Sequence, residues 1–150
     1  YEDEKEEVQK REEEISISGM HILVVEDNEL NLEIETYMLE EQGVLVTPAK
    51  DGTEAVELFA KSEIGEFDLI LMDIMMPRMN GYEAAEAIRK MERKDAGEIP
   101  IFAVSANAFL DDIAASKKSG MNEHLSKPID FDEMMKRIGE YRKKVERNRS

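Results

Sequence analysis

The sequence predicts an α/β fold, a doubly wound sheet of five parallel strands with helices on both faces. Two observations carry the prediction. From Met20 onward, apolar runs of strand length alternate with segments of helical period, five times in succession. The runs HILVV at 21–25 and FDLILM at 67–72 are almost wholly apolar, which marks strands covered on both faces, as in a parallel sheet sandwiched between helices.

Taken in order, the opening stretch from Tyr1 to Gly19 holds eight acids against Lys5, Lys10 and Arg11, and its few apolar residues are Val8, Ile15 and Ile17. Such a stretch buries too little surface to offset its ordering entropy, so 1–19 reads as an acidic linker. The seven-residue spacing of Val8 and Ile15 leaves a short coiled coil open. The folded domain is expected over 20–142, with a basic tail over 143–150. Its strands are placed at His21–Val25, Val44–Ala49, Phe67–Met72, Ile101–Val104 and Glu123–Ser126. Helices are placed near Leu30–Gln42, Thr53–Ser62, Gly81–Met91, Phe109–Ser119 and Phe131–Arg147. Asn28 can cap the first helix and Gly43 end it, while Gly120 suits the left-handed close of the fourth. Pro48 cannot donate to a ladder, which assigns the second strand to an edge.

Composition limits the function. The 150 residues suffice for one domain with a sizeable core. An apolar share of 41%, a charged share of 37% and no apolar run near the ~18 residues of a membrane span fit a soluble domain. No basic stretch leads into an apolar segment, so no secretory signal is read. The absence of cysteine excludes disulfides and thiolate metal sites and is compatible with the cytoplasm, where the domain is expected even beside a membrane-anchored parent. A net charge of −15 argues against a direct nucleic-acid surface. A start at Tyr1 rather than methionine is expected of a piece cut from something longer.

Ligands of open parallel sheets lie outside the carboxyl ends of the strands. There the sequence offers Glu26 and Asp27 after strand one, Asp73 after strand three, Ser105 after strand four and Lys127 after strand five. Singly, each has a plain structural reading as a cap, a turn former, a loop serine or a solvated lysine. Together, three carboxylates at one rim would repel one another and raise their own pKa values unless a cation sits among them. Hard oxygens with no Cys or His nearby select Mg²⁺, which takes one or two carboxylates plus phosphate oxygens. One carboxylate can then attack phosphorus while Ser105 and Lys127 contact the transferred group. Asp73, ending a central strand, is the candidate nucleophile, and Asp27 the candidate metal ligand with Glu26 beside it.

Four motifs, VVEDN at 24–28, LILMDIMMPRMNGYE at 69–83, AVSANA at 103–108 and HLSKPID at 124–130, resemble the receiver domain of response regulators in two-component signalling. The resemblance spans about Met20 to Arg142. It implies the flavodoxin-like strand order 2-1-3-4-5 and a cis bond between Lys127 and Pro128. It further implies phosphorylation of Asp73 by a phosphohistidine on a histidine kinase or histidine phosphotransfer protein. Mg²⁺, or Mn²⁺ in its place, would be held by Asp27, Asp73, the backbone carbonyl of Met75 and, through water, Glu26. Lys127 and Ser105 would bind the phosphoryl group. Ser105 and the strand-five ring, here His124 where many receivers carry tyrosine or phenylalanine, would form a switch that reshapes the face of the fourth helix, fifth strand and fifth helix. Histidine there admits a pH-sensitive version. That face could also support a homodimer. Met75 and Asn107 occupy positions that in the family influence acyl-phosphate hydrolysis.

The wording GMNEHLSKPID and the acidic linker resemble receivers fused behind the ATPase domain of hybrid histidine kinases; a stand-alone receiver and a degenerate docking module are the alternatives. The isolated domain would be no enzyme beyond its own phosphorylation and dephosphorylation, and no output domain is expected after Arg149. A haloacid dehalogenase phosphatase would need a second aspartate where Met75 stands. A flavin domain would need amide-rich or hydroxyl residues in the acidic loop after strand one. The methionines Met72, Met75, Met76 and Met79 read as gap fillers, and His21 and His124 as too isolated for zinc. The absence of GxxxxGK[ST] and GxGxxG leaves nucleotide binding without support.

Overall fold

A computed structural model describes residues 16–106 and 110–149. Val8, Ile15, Asn107 and Phe109 lie outside the described residues. The chain forms β1 (His21–Val25), α1 (Glu29–Glu41), β2 (Leu45–Ala49), α2 (Gly52–Lys61), β3 (Leu69–Asp73), α3 (Gly81–Arg89), β4 (Ile101–Ser105), α4 (Leu110–Lys118), β5 (Glu123–Ser126) and α5 (Phe131–Arg149). All strand pairings are parallel, and the order β2-β1-β3-β4-β5 is the one expected. Pro48 lies on β2, at the sheet edge as anticipated.

Alternate side chains of the strands feed two cores, as period-2 geometry requires. Leu23, Val25, Ile70, Met72, Ile101 and Ala103 pack with Ala55 and Phe59 of α2 and Ala84 and Ile88 of α3. Ile22, Val24, Leu69, Leu71, Phe102 and Val104 pack on the other face with Leu39 of α1 and Met134 and Ile138 of α5. Every residue of β3 and β4 is buried.

Local chemistry sets the element ends. Asn28 caps α1, its side chain accepting from the Asn31 N–H; Asp51 does the same for α2, and Asn80 with Glu83 closes a capping box on α3. Gly43 and Gly120 take φ of 85° and 93° after α1 and α4, the left-handed closes anticipated for them.

Most element ends fall within two residues of those expected, and three larger features differ from expectation. The core begins ahead of Met20, because Ile17 is 2% exposed among Met20 and Val44, and Arg142 of α5 donates to the Ser16 and Ser18 carbonyls. At the other end, the stretch read as a tail from 143 onward is part of α5, which runs to Arg149, past the helix end expected near Arg147. Between α3 and β4 stands an unanticipated 3₁₀ turn, Lys94–Gly97, beside Arg93. The Arg93 guanidinium pairs with Asp95, donates to the Phe59 and Ser62 carbonyls and lies 4.4 Å over the Phe59 ring.

Candidate functional site

Register carries the expected residues to one rim. Val25 pairs with Met72 across β1 and β3, so Glu26 emerges abreast of Asp73, the last residue of β3. Asp73 pairs with Val104, which puts Ser105 one step beyond it on β4. The Lys127 N–H donates to the Ser105 carbonyl at 2.7 Å, bringing the end of β5 to the same edge. The Lys127–Pro128 bond is cis, as expected.

The acids gather closely. Glu26, Asp27 and Asp73 each offer a carboxylate oxygen within 4.8 Å of the others, with Glu26 and Asp73 buried and Asp27 exposed. The Lys127 ammonium reaches across them, 3.1 Å from Glu26 Oε2 and 3.4 Å from Asp73 Oδ2. Its hydrogen bond goes to Glu26 Oε1, and Glu26 Oε2, though near the ammonium, is buried without a hydrogen-bond partner among the described residues. The loop after β3 returns through Gly81, whose N–H donates to the Ile74 carbonyl at 3.0 Å. A Cβ at Gly81 would collide with the Asp73 carbonyl oxygen and the Ile74 Cα, so this close approach requires glycine.

The electrostatics follow from that crowding. Burial first, then the Glu26 charge and the contact with Asp27, push the Asp73 carboxyl up to about 7 against the pull of Lys127. For Lys127, burial favours the neutral amine, but its bond to Glu26 and the Asp73 charge more than offset this, and its pKa stands above the ordinary value. One cation thus stands among three acids, and among the described residues Glu26 Oε2 is buried with no hydrogen bond, only the charge of the Lys127 ammonium nearby. Oxygen ligands alone, one of them orphaned, fit a hard divalent cation such as Mg²⁺.

Ser105 and His124 also meet. Ser105 Oγ lies 2.8 Å from His124 Nε2, and Nδ1 of the same ring lies 3.2 Å from Ser116 Oγ on α4. Met75 projects its side chain outward at 74% exposure. His21 sits at the opposite end of β1, 2.6 Å from the Thr47 hydroxyl and against the Phe67 ring, remote from the rim. A groove lined by Phe67, Asp68, Glu98, Tyr141 and Arg142 opens at the amino ends of the strands and shares no residue with the acidic cluster.

Two residues were missed in the sequence. Glu35 on α1 is buried, and burial followed by the Glu26 charge pushes its carboxyl from 4.5 up to about 8. It precedes Leu39 by one helical turn, so an acid at a core-facing spacing was the available signal. Ser116 is buried at 2% exposure; a serine inside an amphipathic helix carries no comparable mark.

Comparison with known proteins gives the family and the fold. The family model described as "Response regulator receiver domain" matches residues 22–139. "Probable histidine kinase 2" of Oryza sativa subsp. indica is 37% identical over 132 residues, covering 81% of this chain and 13% of its own. "Hybrid signal transduction histidine kinase I" of Dictyostelium discoideum is 38% identical over 147 residues, covering 91% of this chain and 8% of its own. The chain thus spans a small fraction of the curated relatives it matches. Among solved structures, the receiver domain of a sensor histidine kinase from Pseudomonas aeruginosa PAO1, with magnesium in its active site cleft, superposes with a TM-score of 0.72. It shares 36% identity and covers 81% of this chain and 95% of its own.

Proposed function

This chain belongs to the response regulator receiver domain family of two-component signalling, and from that membership we propose that it is a Mg²⁺-dependent phosphoryl acceptor whose acceptor residue is Asp73. The observation that carries the reading is the buried Asp73 carboxylate beside two further acids and within 3.4 Å of the Lys127 ammonium. Asp27, Asp73, the Met75 carbonyl and, through water, Glu26 would hold Mg²⁺, with Mn²⁺ as a substitute. The chemistry a bound Mg²⁺ supplies is neutralisation of charge on the carboxylates and the phosphoryl oxygens.

In the proposed step an Asp73 oxygen attacks the phosphorus of a phosphohistidine. A P–O bond to Asp73 forms as the P–N bond breaks, and the departing imidazole takes up a proton to leave neutral. Lys127 pairs with the phosphoryl oxygens, and Ser105 brings its hydroxyl to them. Movement of Ser105, followed by His124, would reshape the α4–β5–α5 face, a surface for a partner or a second copy of the chain.

The donor is a histidine kinase or histidine phosphotransfer protein. Hybrid kinases among the relatives support a parent of that class, with the kinase activity in the parent and the receiver in the cytoplasm. Among the described residues no helix is long and apolar enough to cross a membrane. A stand-alone receiver remains the second reading of the whole protein, while a docking-only module is disfavoured by the complete set of acids, hydroxyl and ammonium. Direct nucleic-acid binding is not part of the reading.

Intact mass after exposure to acetyl phosphate tests it. A phosphate adduct that needs Mg²⁺ and is absent from Asp73→Asn is expected. A folded protein that binds Mg²⁺ yet gains no adduct would contradict it.

A further inference from the structure

The Ser105–His124 contact continues past the rim. Ser105 and Ala103 lie on the β4 face opposite Val104, and Ala103 pairs with His124 on β5, so the ring lies diagonal to Ser105 beneath α4. Ser116 then reaches the ring from α4, giving an unbroken series Ser105 Oγ, His124 Nε2, His124 Nδ1, Ser116 Oγ with separations of 2.8 and 3.2 Å. A neutral imidazole donates from one nitrogen and accepts at the other, whereas a hydroxyl can do either. Partners on both nitrogens therefore fix the ring's plane, since rotating it breaks both bonds at once. Ser105 and Ser116 are 4% and 2% exposed, so little water can replace either bond.

We propose that Ser116 is a positioning residue, a latch on α4 that holds the His124 ring and, through it, keeps the Ser105 hydroxyl turned away from the acceptor carboxylate. This rests on Asp73 being that acceptor. For Ser105 to reach a phosphoryl group on Asp73 it leaves Nε2, while Ser116 still holds the ring at Nδ1. The strength of the Ser116 bond sets how readily Ser105 departs and how directly its departure is felt in α4. Glu123 and Glu133 pair with Arg137, which also donates to the His124 carbonyl and so holds the backbone of β5 while the ring side carries the switch.

The test is a double-mutant cycle on phosphorylation rate, followed by intact mass with phosphoramidate and Mg²⁺, for wild type, Ser116→Ala, His124→Phe and the double variant. Loss of the latch bond is expected to speed Ser116→Ala by about three- to tenfold, the worth of one buried hydrogen bond. In the His124→Phe background the same substitution is expected to change the rate by less than about twofold. Equal effects in both backgrounds, or none in either, would overturn the latch while leaving the acceptor reading intact. No phosphate on any of the four proteins would overturn the acceptor reading and the latch with it. Ring ¹⁵N spectra of wild type give a check free of mutation: beryllofluoride with Mg²⁺ is expected to shift both His124 nitrogens. An unmoved Nδ1 beside a shifted Nε2 would count against the latch.

Discussion

Lys127 Nζ stands 3.4 Å from Asp73 Oδ2, and in the same position 3.1 Å from Glu26 Oε2, so one ammonium just past β5 serves two buried acids, one ending β3 and one just past β1. That sharing makes the rim depend on Lys127 whenever no metal is bound. Lys127→Ala is expected to destabilise the protein in Mg²⁺-free buffer by about 1–3 kcal/mol, the cost of leaving a partly buried ion pair without its cation. Added Mg²⁺ should then recover more stability in the variant than it adds to wild type. Thermal melts of both proteins with and without Mg²⁺ decide this, and equal metal effects would contradict it.

Asp73 is the converse case, an acid whose removal relieves repulsion. Its carboxyl is pushed up to about 7, chiefly by burial and then by Glu26. At pH 8 without metal, Asp73→Asn is expected to be more stable than wild type by about 1–2 kcal/mol. The same variant should lose most of the stabilisation that Mg²⁺ gives wild type through binding the folded state. Denaturant titrations in EDTA and in Mg²⁺ read both effects, and a destabilised variant in EDTA would refute the repulsion argument.

Glu35 supplies the pH dependence. Its carboxyl moves from 4.5 to about 8, mainly by burial. A raised folded-state pKa means the folded protein keeps a proton that the unfolded chain gives up, so the contribution is full below about pH 4.5 and is lost as pH rises to about 8. Glu35→Gln keeps the shape and removes the titration. Its stability advantage over wild type is expected to grow between pH 5 and pH 8, reaching on the order of 1–3 kcal/mol in Mg²⁺-free buffer. A difference that stays constant with pH would contradict this account.

Gly81 bears on the site through backbone packing. Because a Cβ there would meet the Asp73 carbonyl oxygen and Ile74 Cα, neither of which can rotate aside, Gly81→Ala is expected to cost about 2–4 kcal/mol. It should also weaken Mg²⁺ binding by displacing the end of β3. Chemical denaturation and Mg²⁺ titration calorimetry measure the two effects, and a stable variant with unchanged metal affinity would contradict the packing argument.

The fold was legible because the inner strands β1, β3 and β4 are nearly continuous apolar runs, each followed by a segment of helical period, whereas β2 and β5 are read mainly from their place in that alternation. The rim was legible because parallel strands deliver their carboxyl ends to one edge, so Glu26, Asp27, Asp73, Ser105 and Lys127 could be assembled from order alone. Ile17 was hidden by its acidic context: one buried side chain anchored by Arg142 from the far end of the chain has no periodicity to betray it. The Arg93 turn was hidden for a similar reason, since its partners lie on α2 and on the turn itself. Ser116 and His124 meet across α4 and β5, a contact that only tertiary packing reveals.

Chemical trapping of the acceptor tests the central claim most directly. The protein is phosphorylated with phosphoramidate and Mg²⁺, reduced with borohydride, which converts an aspartyl phosphate to homoserine, and mapped by peptide mass spectrometry. Homoserine at position 73 alone is the expected result. Reduction at Asp27, a reduced side chain elsewhere on the rim, or a protein that carries phosphate yet yields no reduced residue would contradict Asp73 as the acceptor.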